Sequence, residues 1–132
     1  MSAVIEPTSN SFDGHMVLDE KVLNFLPGGK LMMQKVLKIF LKSSAELMAR
    51  MDAGLQQNDT DQVLRAAHTL KSSSAMIGAH ALSKLCVDIE TITFKQGILG
   101  VDCLVQEVHK ARQQVENEIC SKYSDDDAFS TH

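Results

Sequence analysis

Apolar residues recur at steps of three and four along most of this chain, which is the spacing of amphipathic α-helices. The strongest run predicts a helix from about Lys30 to Met51, with Gly54 as its C-terminal stop. Its apolar stripe consists of Met33, Val36, Leu37, Phe40, Ser44, Leu47, Met48 and Met51. A polar turn follows, in which Asn58 or Asp59 is the expected N-cap of the second helix.

The remaining runs predict three more long helices: one ending near Ile77 before Gly78, one from Ala79 to Lys95, and one from Val101 to Lys122. Upstream, Asp19 is expected to cap a short helix that carries Val22, Leu23, Phe25 and Leu26. The sequence Pro27-Gly28-Gly29 ends that helix with a turn.

Each long helix has a single apolar stripe and the connections are short, so consecutive helices should lie antiparallel. We therefore predict an all-α fold, an antiparallel up-down-up-down four-helix bundle with an additional short N-terminal helix. The bundle domain is expected to span residues 17–122. Residues 1–16 are predicted to be a disordered N-terminal segment, and residues 123–132 a disordered acidic tail that contains Asp125, Asp126 and Asp127.

Composition narrows the class of protein further. A chain of 132 residues with 44% hydrophobic and 23% charged residues suits one globular domain. A net charge of −4 argues against binding to nucleic acid or to an anionic membrane surface, and no apolar run is long enough to span a bilayer. Met1–Gly14 lacks a secretory signal pattern, and we interpret Cys86, Cys103 and Cys120 as reduced packing residues. We therefore expect a cytoplasmic protein. We also expect it to be a monomer.

His68 is the principal candidate for chemistry. At about 100° per residue, Val63, Ala67, Leu70, Ser74 and Ile77 form the buried stripe of its helix. His68 lies roughly 140° from the centre of that stripe and therefore points outward. Leu64, Ser72 and Ala75 share its sector, and Lys71 lies between His68 and the edge of the stripe. An exposed histidine without a function would give the same pattern.

Most enzymatic uses of this histidine find no support in the sequence. We see no glycine-rich nucleotide loop, no Glu-x-x-His pair and no cysteine pattern for zinc, so no cofactor and no metal are expected. Ser72 lies one turn from His68, but a serine nucleophile also needs an orienting acid and an oxyanion hole. The imidazole itself can instead attack a phosphoryl group, with Lys71 near the transferred oxygens. Such a protein would be a carrier whose partners supply the metal and the acids.

The segment His68-Thr69-Leu70-Lys71-Ser72-Ser73-Ser74-Ala75-Met76-Ile77-Gly78-Ala79 resembles the motif of histidine phosphotransfer (HPt) domains in multistep phosphorelays. The similarity extends from about Val17 to the helix after Gly78, and the last helix is similar in pattern only. Ser72 stands where the family often has glycine. No kinase or receiver sequence flanks the motif, so we expect a free-standing carrier without an ATP-binding domain, not an enzyme.

The resemblance implies a role for each residue of the motif. His68 would accept a phosphoryl group from a receiver-domain aspartyl phosphate, for example of a hybrid sensor histidine kinase, and pass it to the aspartate of a response regulator. Lys71 would position the phosphoryl oxygens, and Gly78 would end the helix as a structural residue. We expect partners to dock on Leu64, Ser72 and Ala75, which surround the histidine. A bundle that only binds receiver domains, a metal or redox bundle, and a regulator unrelated to phosphate remain alternatives.

Overall fold

The computed structural model of the protein describes residues 17–123, and all of its regular elements within that range are helical. The helices are α1 (Glu20–Asn24), α2 (Gly29–Gln57), α3 (Thr60–Met76), α4 (His80–Gln96) and α5 (Asp102–Glu118), followed by a π-helical turn, Ile119–Tyr123. The segments predicted to be disordered lie outside the described residues, except for Tyr123.

The four long helices form a closed antiparallel ring. Helix α2 packs on α3, α3 on α4, α4 on α5, and α5 packs back on α2, while short α1 contacts α2. Connections of a few residues join each pair of neighbours, and such connections force consecutive helices to run in opposite directions. The predicted up-down-up-down bundle with an extra N-terminal helix is therefore confirmed.

The predicted apolar stripes build one continuous core. In α3 the stripe residues Val63, Ala67, Leu70, Ser74 and Ile77 are all buried. Leu37, Met51, Leu82, Ile89, Val105 and Val108 meet them from the other long helices. Full burial of a large aliphatic side chain contributes about 1.5–3 kcal/mol, so this core supplies most of the stability of the bundle.

Ser44 is a buried polar member of the predicted α2 stripe, and its environment explains why it is tolerated there. Its Oγ accepts a hydrogen bond from Arg112 Nε at 2.7 Å. The same guanidinium donates to the carbonyl oxygen of Leu41 at 2.8 Å and pairs with Glu116 at 3.0 Å. Arg112 thus connects α5 to α2, and an oxygen atom is the acceptor in each of these hydrogen bonds.

Gly54 does not end helix α2, which contradicts the prediction. The helix continues to Gln57, and Asn58 is its C-cap, with a left-handed φ of 59°. Gly54 is buried where α2 meets the start of α3, and a Cβ at this position would lie 2.8 Å from Val63 Cγ2. The glycine is therefore a close-packing residue, and Asp59 is the N-cap of α3, accepting a hydrogen bond from Gln62 N at 3.1 Å.

Three other details differ from the expectations. Phe25 is 86% exposed because it follows α1 as its C-cap and points away from the core. Cys86 is buried, but Cys103 and Cys120 are exposed on the outer face of the last helical segment and do not pack in the core. The helix predicted to end at Lys122 reaches Tyr123, whose carbonyl oxygen accepts a hydrogen bond from Gln34 Nε2 at 3.1 Å.

Helix α1 is fixed to the turn between α3 and α4 through Asp19. The side chain of Asp19 caps α1 by accepting from Lys21 N at 3.0 Å, as predicted, and its backbone N–H donates to the carbonyl oxygen of Gly78 at 3.0 Å. Gly78 has a φ of +80°, and a Cβ there would lie within 3 Å of the Asp19 backbone. Gly78 therefore ends α3 and also allows the N-terminal chain to approach.

Candidate functional site

His68 lies in the middle of α3 on the side opposite its buried stripe. Its imidazole is 64% exposed, which matches the outward direction derived from helical periodicity. Leu70 on the adjacent face is fully buried, so the backbone beneath the histidine is held rigidly by the core. A rigid helix presents the ring in a fixed place on a convex surface.

Glu90 of helix α4 is the residue that organises this surface, and sequence reasoning missed it. One of its carboxylate oxygens, Oε2, lies 2.9 Å from His68 Nδ1. The other, Oε1, lies 2.9 Å from Lys71 Nζ. One carboxylate therefore bridges the two residues that the sequence had placed one turn apart. The side chain of Glu90 is only 23% exposed, whereas that of His68 is 64% exposed.

The contact with Glu90 determines which ring nitrogen of His68 is available. A carboxylate accepts hydrogen bonds and cannot donate one, so Nδ1 must carry the proton in this contact. In the neutral imidazole the lone pair then resides on Nε2. Nε2 forms no hydrogen bond or ion pair with another residue in the described part of the chain, and the histidine side chain is 64% exposed. The site thus offers an exposed nitrogen nucleophile in a fixed tautomer.

The electrostatics of the bridge keep Glu90 ionised. Partial burial opposes ionisation of this carboxyl group, but the hydrogen bonds and charges of Lys71 and His68 outweigh burial and lower its pKa. Close by, burial raises the pKa of the Cys86 thiol to about 12, so this cysteine stays protonated and unreactive. The group that accepts the hydrogen bond from Nδ1–H of His68 is therefore a carboxylate at neutral pH.

His80 and His109, the other two histidines within residues 17–123, are arranged differently. His80 Nε2 lies 3.0 Å from Asp19 Oδ2, and this hydrogen bond lowers the pKa of Asp19. His109 Nε2 lies 3.0 Å from Asp52 Oδ1. In both cases Nε2 is already engaged by a carboxylate. Among these three histidines, only His68 has its carboxylate contact at Nδ1 and shares that carboxylate with a lysine.

The surface around His68 is built from small residues on one side and an apolar cavity on the other. Ser72 and Ala75 are exposed on the turns that follow, and Ser72 Oγ bonds only to the carbonyl oxygen of His68 at 3.4 Å. Leu64 is half-buried and lines an open cavity of about 750 Å³ between α3 and α4. Phe94, which sequence reasoning also missed, is 85% exposed at the edge of this cavity.

Within the described residues, no group of three or more His, Cys, Asp or Glu side chains is arranged to hold a metal ion. Nor does any helix between residues 17 and 123 have the length and apolar character needed to cross a membrane.

Comparison with known proteins relates most of the bundle to one family. Residues 35–119 match the family model described as Hpt domain. A curated relative, sensor protein TorS of Escherichia coli (strain K12), is 35% identical over 54 residues. That match covers 41% of this chain but only 6% of TorS, so the chain corresponds to a small part of that protein.

Two solved structures share the fold. Histidine-containing phosphotransfer protein B from Pseudomonas aeruginosa PAO1 is 24% identical with a TM-score of 0.75, over 82% of this chain and 95% of that one. The HPT domain of a sensor hybrid histidine kinase from Shewanella is 21% identical with a TM-score of 0.66, over 82% of this chain and 97% of that one. At these identities the likeness establishes the fold.

Proposed function

Because this chain belongs to the Hpt domain family, we propose that it carries a phosphoryl group on His68 between two receiver domains of a phosphorelay. The donor is an aspartyl phosphate, such as that of a hybrid sensor histidine kinase, and the acceptor is the aspartate of a response regulator. The observation that carries the proposal is the exposed side chain of His68, whose Nδ1 lies 2.9 Å from Glu90 and leaves Nε2 for the reaction.

In the forward step the lone pair of Nε2 attacks the phosphorus of the aspartyl phosphate. The N–P bond forms as the P–O bond to the aspartyl group breaks, and the bonding pair leaves on the aspartate carboxylate. The ring becomes a phosphoimidazolium, whose Nδ1 proton remains hydrogen bonded to Glu90. Transfer to the second receiver reverses these events, with an aspartate oxygen as the attacking atom and Nε2 as the leaving group.

Lys71 supports the transfer by its charge. Its ammonium group is fixed beside the ring by Glu90, and its side chain is 31% exposed, so it can turn toward phosphoryl oxygens on Nε2. Lys71 is thus the phosphoryl-positioning residue. Gly78 has a structural role only, since it ends the helix that carries both side chains.

The docking surface for both receivers includes Leu64, Ser72 and Ala75, as the sequence suggested, and we extend it to Phe94. The two small residues let the active site of a receiver approach the ring closely. Leu64 and Phe94 flank a cavity that can take an apolar side chain of the partner. An interface centred here would be of the transient kind, at about 1,200 Å² in total.

We further propose that the protein acts as a phosphoryl carrier in the cytoplasm, as a monomer, and that it uses no cofactor of its own. The carrier domain is the bundle from Val17 to Tyr123. Because the receiver supplies the metal and the acidic residues, an accessible histidine beside an open cavity is sufficient for this reaction.

Labelling with a phosphorylated receiver domain tests the proposal. A receiver domain of the host, labelled at its aspartate with radioactive acetyl phosphate, is mixed with the wild type and with His68→Gln. The wild type should acquire label that is stable in base and labile in acid, and His68→Gln should acquire none. His80→Gln is the matched control, because His80 is also an exposed histidine that bonds to a carboxylate.

Two outcomes would contradict the proposal. Equal labelling of His68→Gln would mean that another group accepts the phosphoryl group. Binding of the receiver without labelling of the wild type would favour the alternative of a bundle that only docks receivers. Replacement of Ala75 by leucine separates docking from chemistry further, since it should weaken receiver binding while acetyl phosphate hydrolysis by the receiver is unchanged.

A further inference from the structure

Tyr123 holds the end of the last helical segment against α1 and α2, and an acidic sequence follows it. Its carbonyl oxygen accepts a hydrogen bond from Gln34 Nε2 at 3.1 Å, and its hydroxyl group donates to Glu20 Oε2 at 3.3 Å. Residues 124–132, the acidic segment, contain three consecutive aspartates and no lysine or arginine. This segment therefore starts from a point that is fixed on the bundle.

Unpaired positive charge surrounds that point on α2. Residues 21–45 contain five lysines and no aspartate or glutamate, although the whole chain has a net charge of −4. Lys30 and Lys38 lie four residues before and after Gln34, so each is one helical turn from it on the same side of α2. Both lysines are exposed, and neither forms an ion pair within the described part of the chain.

The same side of α2 also carries an exposed apolar side chain. Leu31 precedes Gln34 by three residues and is 65% exposed. The first turn of α2 has no acidic residue, and its N-cap, Gly28, provides no side-chain hydrogen bond. Anionic groups stabilise such a helix end, which carries a partial positive charge. The Gln34 face, formed by Lys30, Leu31, Gln34 and Lys38, thus suits a segment that has both carboxylates and an apolar residue.

The acidic segment is long enough to cover this face. An extended chain spans about 3.3–3.6 Å per residue, so the first aspartate can lie up to about 7 Å from Tyr123 and the third up to about 14 Å. Each of the two lysines is displaced from Gln34 by about 6 Å along α2, the rise of four helical residues. Phe129, six residues after Tyr123, can reach Leu31 by the same measure.

We propose that residues 124–132 fold back on the Gln34 face of their own chain as an intramolecular strap. The aspartates would pair with Lys30 and Lys38, and Phe129 would cover Leu31. Isolated ion pairs between exposed side chains are weak. A covalent tether keeps the carboxylates at a high effective concentration beside the lysines, so the segment can bind where a separate acidic peptide would not.

The strap would reinforce the seam at which α5 closes the bundle. Side chains across this seam make polar contacts, among them the hydrogen bond between Arg112 and Ser44 and the pair of His109 with Asp52. The acidic segment would add a further connection, from the end of the last helical segment to the start of α2. The lysines of the Gln34 face would then be occupied within the same molecule.

This face lies on the side of the bundle opposite the candidate functional site. The helices pack in the ring order α2, α3, α4 and α5, and the contact between His68 and Glu90 joins α3 to α4. The strap would instead join α5 to α2. The inference therefore does not rest on the proposed function, and phosphoryl transfer to His68 should proceed with or without the strap.

Backbone ¹⁵N relaxation measured on the full chain tests the inference. In wild-type protein at low salt, the order parameters of Asp125, Asp126 and Asp127 should lie between about 0.6 and about 0.85, the range between flexible and rigid backbone. In Lys30→Gln/Lys38→Gln they should fall below about 0.6. Raising the salt concentration to about 1 M, where the Debye length is about 3 Å, should lower them in the wild type without any substitution.

The matched control is Lys84→Gln/Lys110→Gln, which removes the same charge from lysines of α4 and α5 that pair with carboxylates of their own helices. Its order parameters should equal those of the wild type. Dilution by about tenfold should also leave them unchanged, because intramolecular binding does not depend on protein concentration. Labelling of His68 by a phosphorylated receiver should be unaffected in both variants, so a failure here is distinguishable from a failure of the proposed function.

Four results would overturn the inference. Order parameters below about 0.6 in the wild type at low salt would leave the acidic segment disordered, as the sequence predicts. Wild-type values in Lys30→Gln/Lys38→Gln would mean that the segment binds elsewhere. Order that is lost on dilution would make the acidic segment of a second copy the occupant. Sedimentation with phosphatidylserine vesicles that requires the two lysines, together with a flexible segment, would make a lipid surface the occupant.

Discussion

Glu90 is expected to control the reactivity of His68, and Glu90→Gln tests this role with almost no change in side-chain volume. The carboxylate accepts the Nδ1 proton at 2.9 Å and so fixes the tautomer in which Nε2 carries the lone pair. A glutamine amide can present either its oxygen or its NH₂ group to the ring. The variant should therefore lose both the fixed tautomer and the negative charge that balances the imidazolium formed during transfer.

The size of the effect follows from the exposure of the contact. A hydrogen bond to a charged group contributes about 1.5–3 kcal/mol when it is shielded. The imidazole is 64% exposed, so solvent screening reduces this contribution to about 1 kcal/mol. Since about 1.4 kcal/mol corresponds to a tenfold change in rate, phosphoryl transfer to Glu90→Gln should be slower by about fivefold.

Two measurements separate this role from a merely structural one. Rapid-quench kinetics with a phosphorylated receiver give the transfer rate, and ¹⁵N NMR of the imidazole reports which nitrogen is protonated. The wild type should show the Nδ1–H tautomer, and Glu90→Gln should show a mixture. Glu107→Gln, at an exposed glutamate of α5 that pairs with Lys110, is the matched control and should change neither observable.

In Glu90→Gln, Lys71 also loses its ion-pair partner. This loss is a second way in which the variant can change the rate of phosphoryl transfer. The double variant Glu90→Gln/Lys71→Ala resolves this, because an effect through His68 should persist at about the same factor in the Lys71→Ala background. A wild-type rate together with an unchanged tautomer in Glu90→Gln would refute the reasoning.

The remaining predictions concern charge, close packing and pH. Lys71→Ala is expected to slow phosphoryl transfer by about fivefold with an unchanged circular dichroism spectrum, and wild-type kinetics would remove its positioning role. Gly54→Ala should lower the free energy of unfolding in urea by about 1–3 kcal/mol, since its Cβ would lie 2.8 Å from Val63 Cγ2; an unchanged midpoint would mean that α2 and α3 separate without cost. Gly78→Ala should cost about 2 kcal/mol or more, because φ is +80° and the backbone of Asp19 is close; unaltered stability would contradict the close approach. The pKa of Glu90 is lowered in the folded state, so its stabilising contribution is present above the unfolded value of about 4.3 and is lost as the pH falls through the folded value. Glu90→Gln should therefore lose less stability on acidification than the wild type, as followed by urea midpoints at successive pH values.

The parts of the site that belong to one helix could be predicted from the sequence. Helical periodicity is a local property, so the directions of His68 and Lys71 relative to the buried stripe follow from their spacing alone. The same holds for Ser72 and Ala75, which the structure places on the exposed surface after the histidine. A periodic pattern gives the orientation of side chains on one element with no knowledge of its neighbours.

Glu90 could not be found in this way because it belongs to the next helix. Its position beside His68 depends on the axial register and rotation of α4 against α3, which tertiary packing determines. A partial signal was present, since in an antiparallel pair residues at similar distances from the connecting turn lie at the same level. His68 precedes Gly78 by ten residues and Glu90 follows it by twelve. The position of Glu90 along the axis of α4 could thus have been estimated, although the direction of its side chain could not.

Gly54 illustrates a different limit of sequence reasoning. A glycine after a helical run is a common C-cap, because it adopts positive φ without strain. The same residue type is also used where two helices approach too closely for a Cβ. Only the position of Val63 across the helix crossing distinguishes the two uses, and that neighbour is set by the fold. Asn58, which tolerates the left-handed conformation, takes the C-cap position instead.

The bridge formed by Glu90 suits the proposed function, in which His68 both accepts and releases a phosphoryl group. Before transfer, the charges of Lys71 and Glu90 cancel beside a neutral ring. Phosphorylation of Nε2 adds a group with nearly two negative charges and makes the ring cationic, which leaves the three residues with a net charge of about −1. Lys71 can then turn to the phosphoryl oxygens while the imidazolium keeps Glu90 as its counterion. Glu90 would thus have a cationic partner both before and after transfer. Because the carrier must also release its phosphoryl group to the second receiver, a carboxylate that is paired in both states limits the electrostatic difference between them.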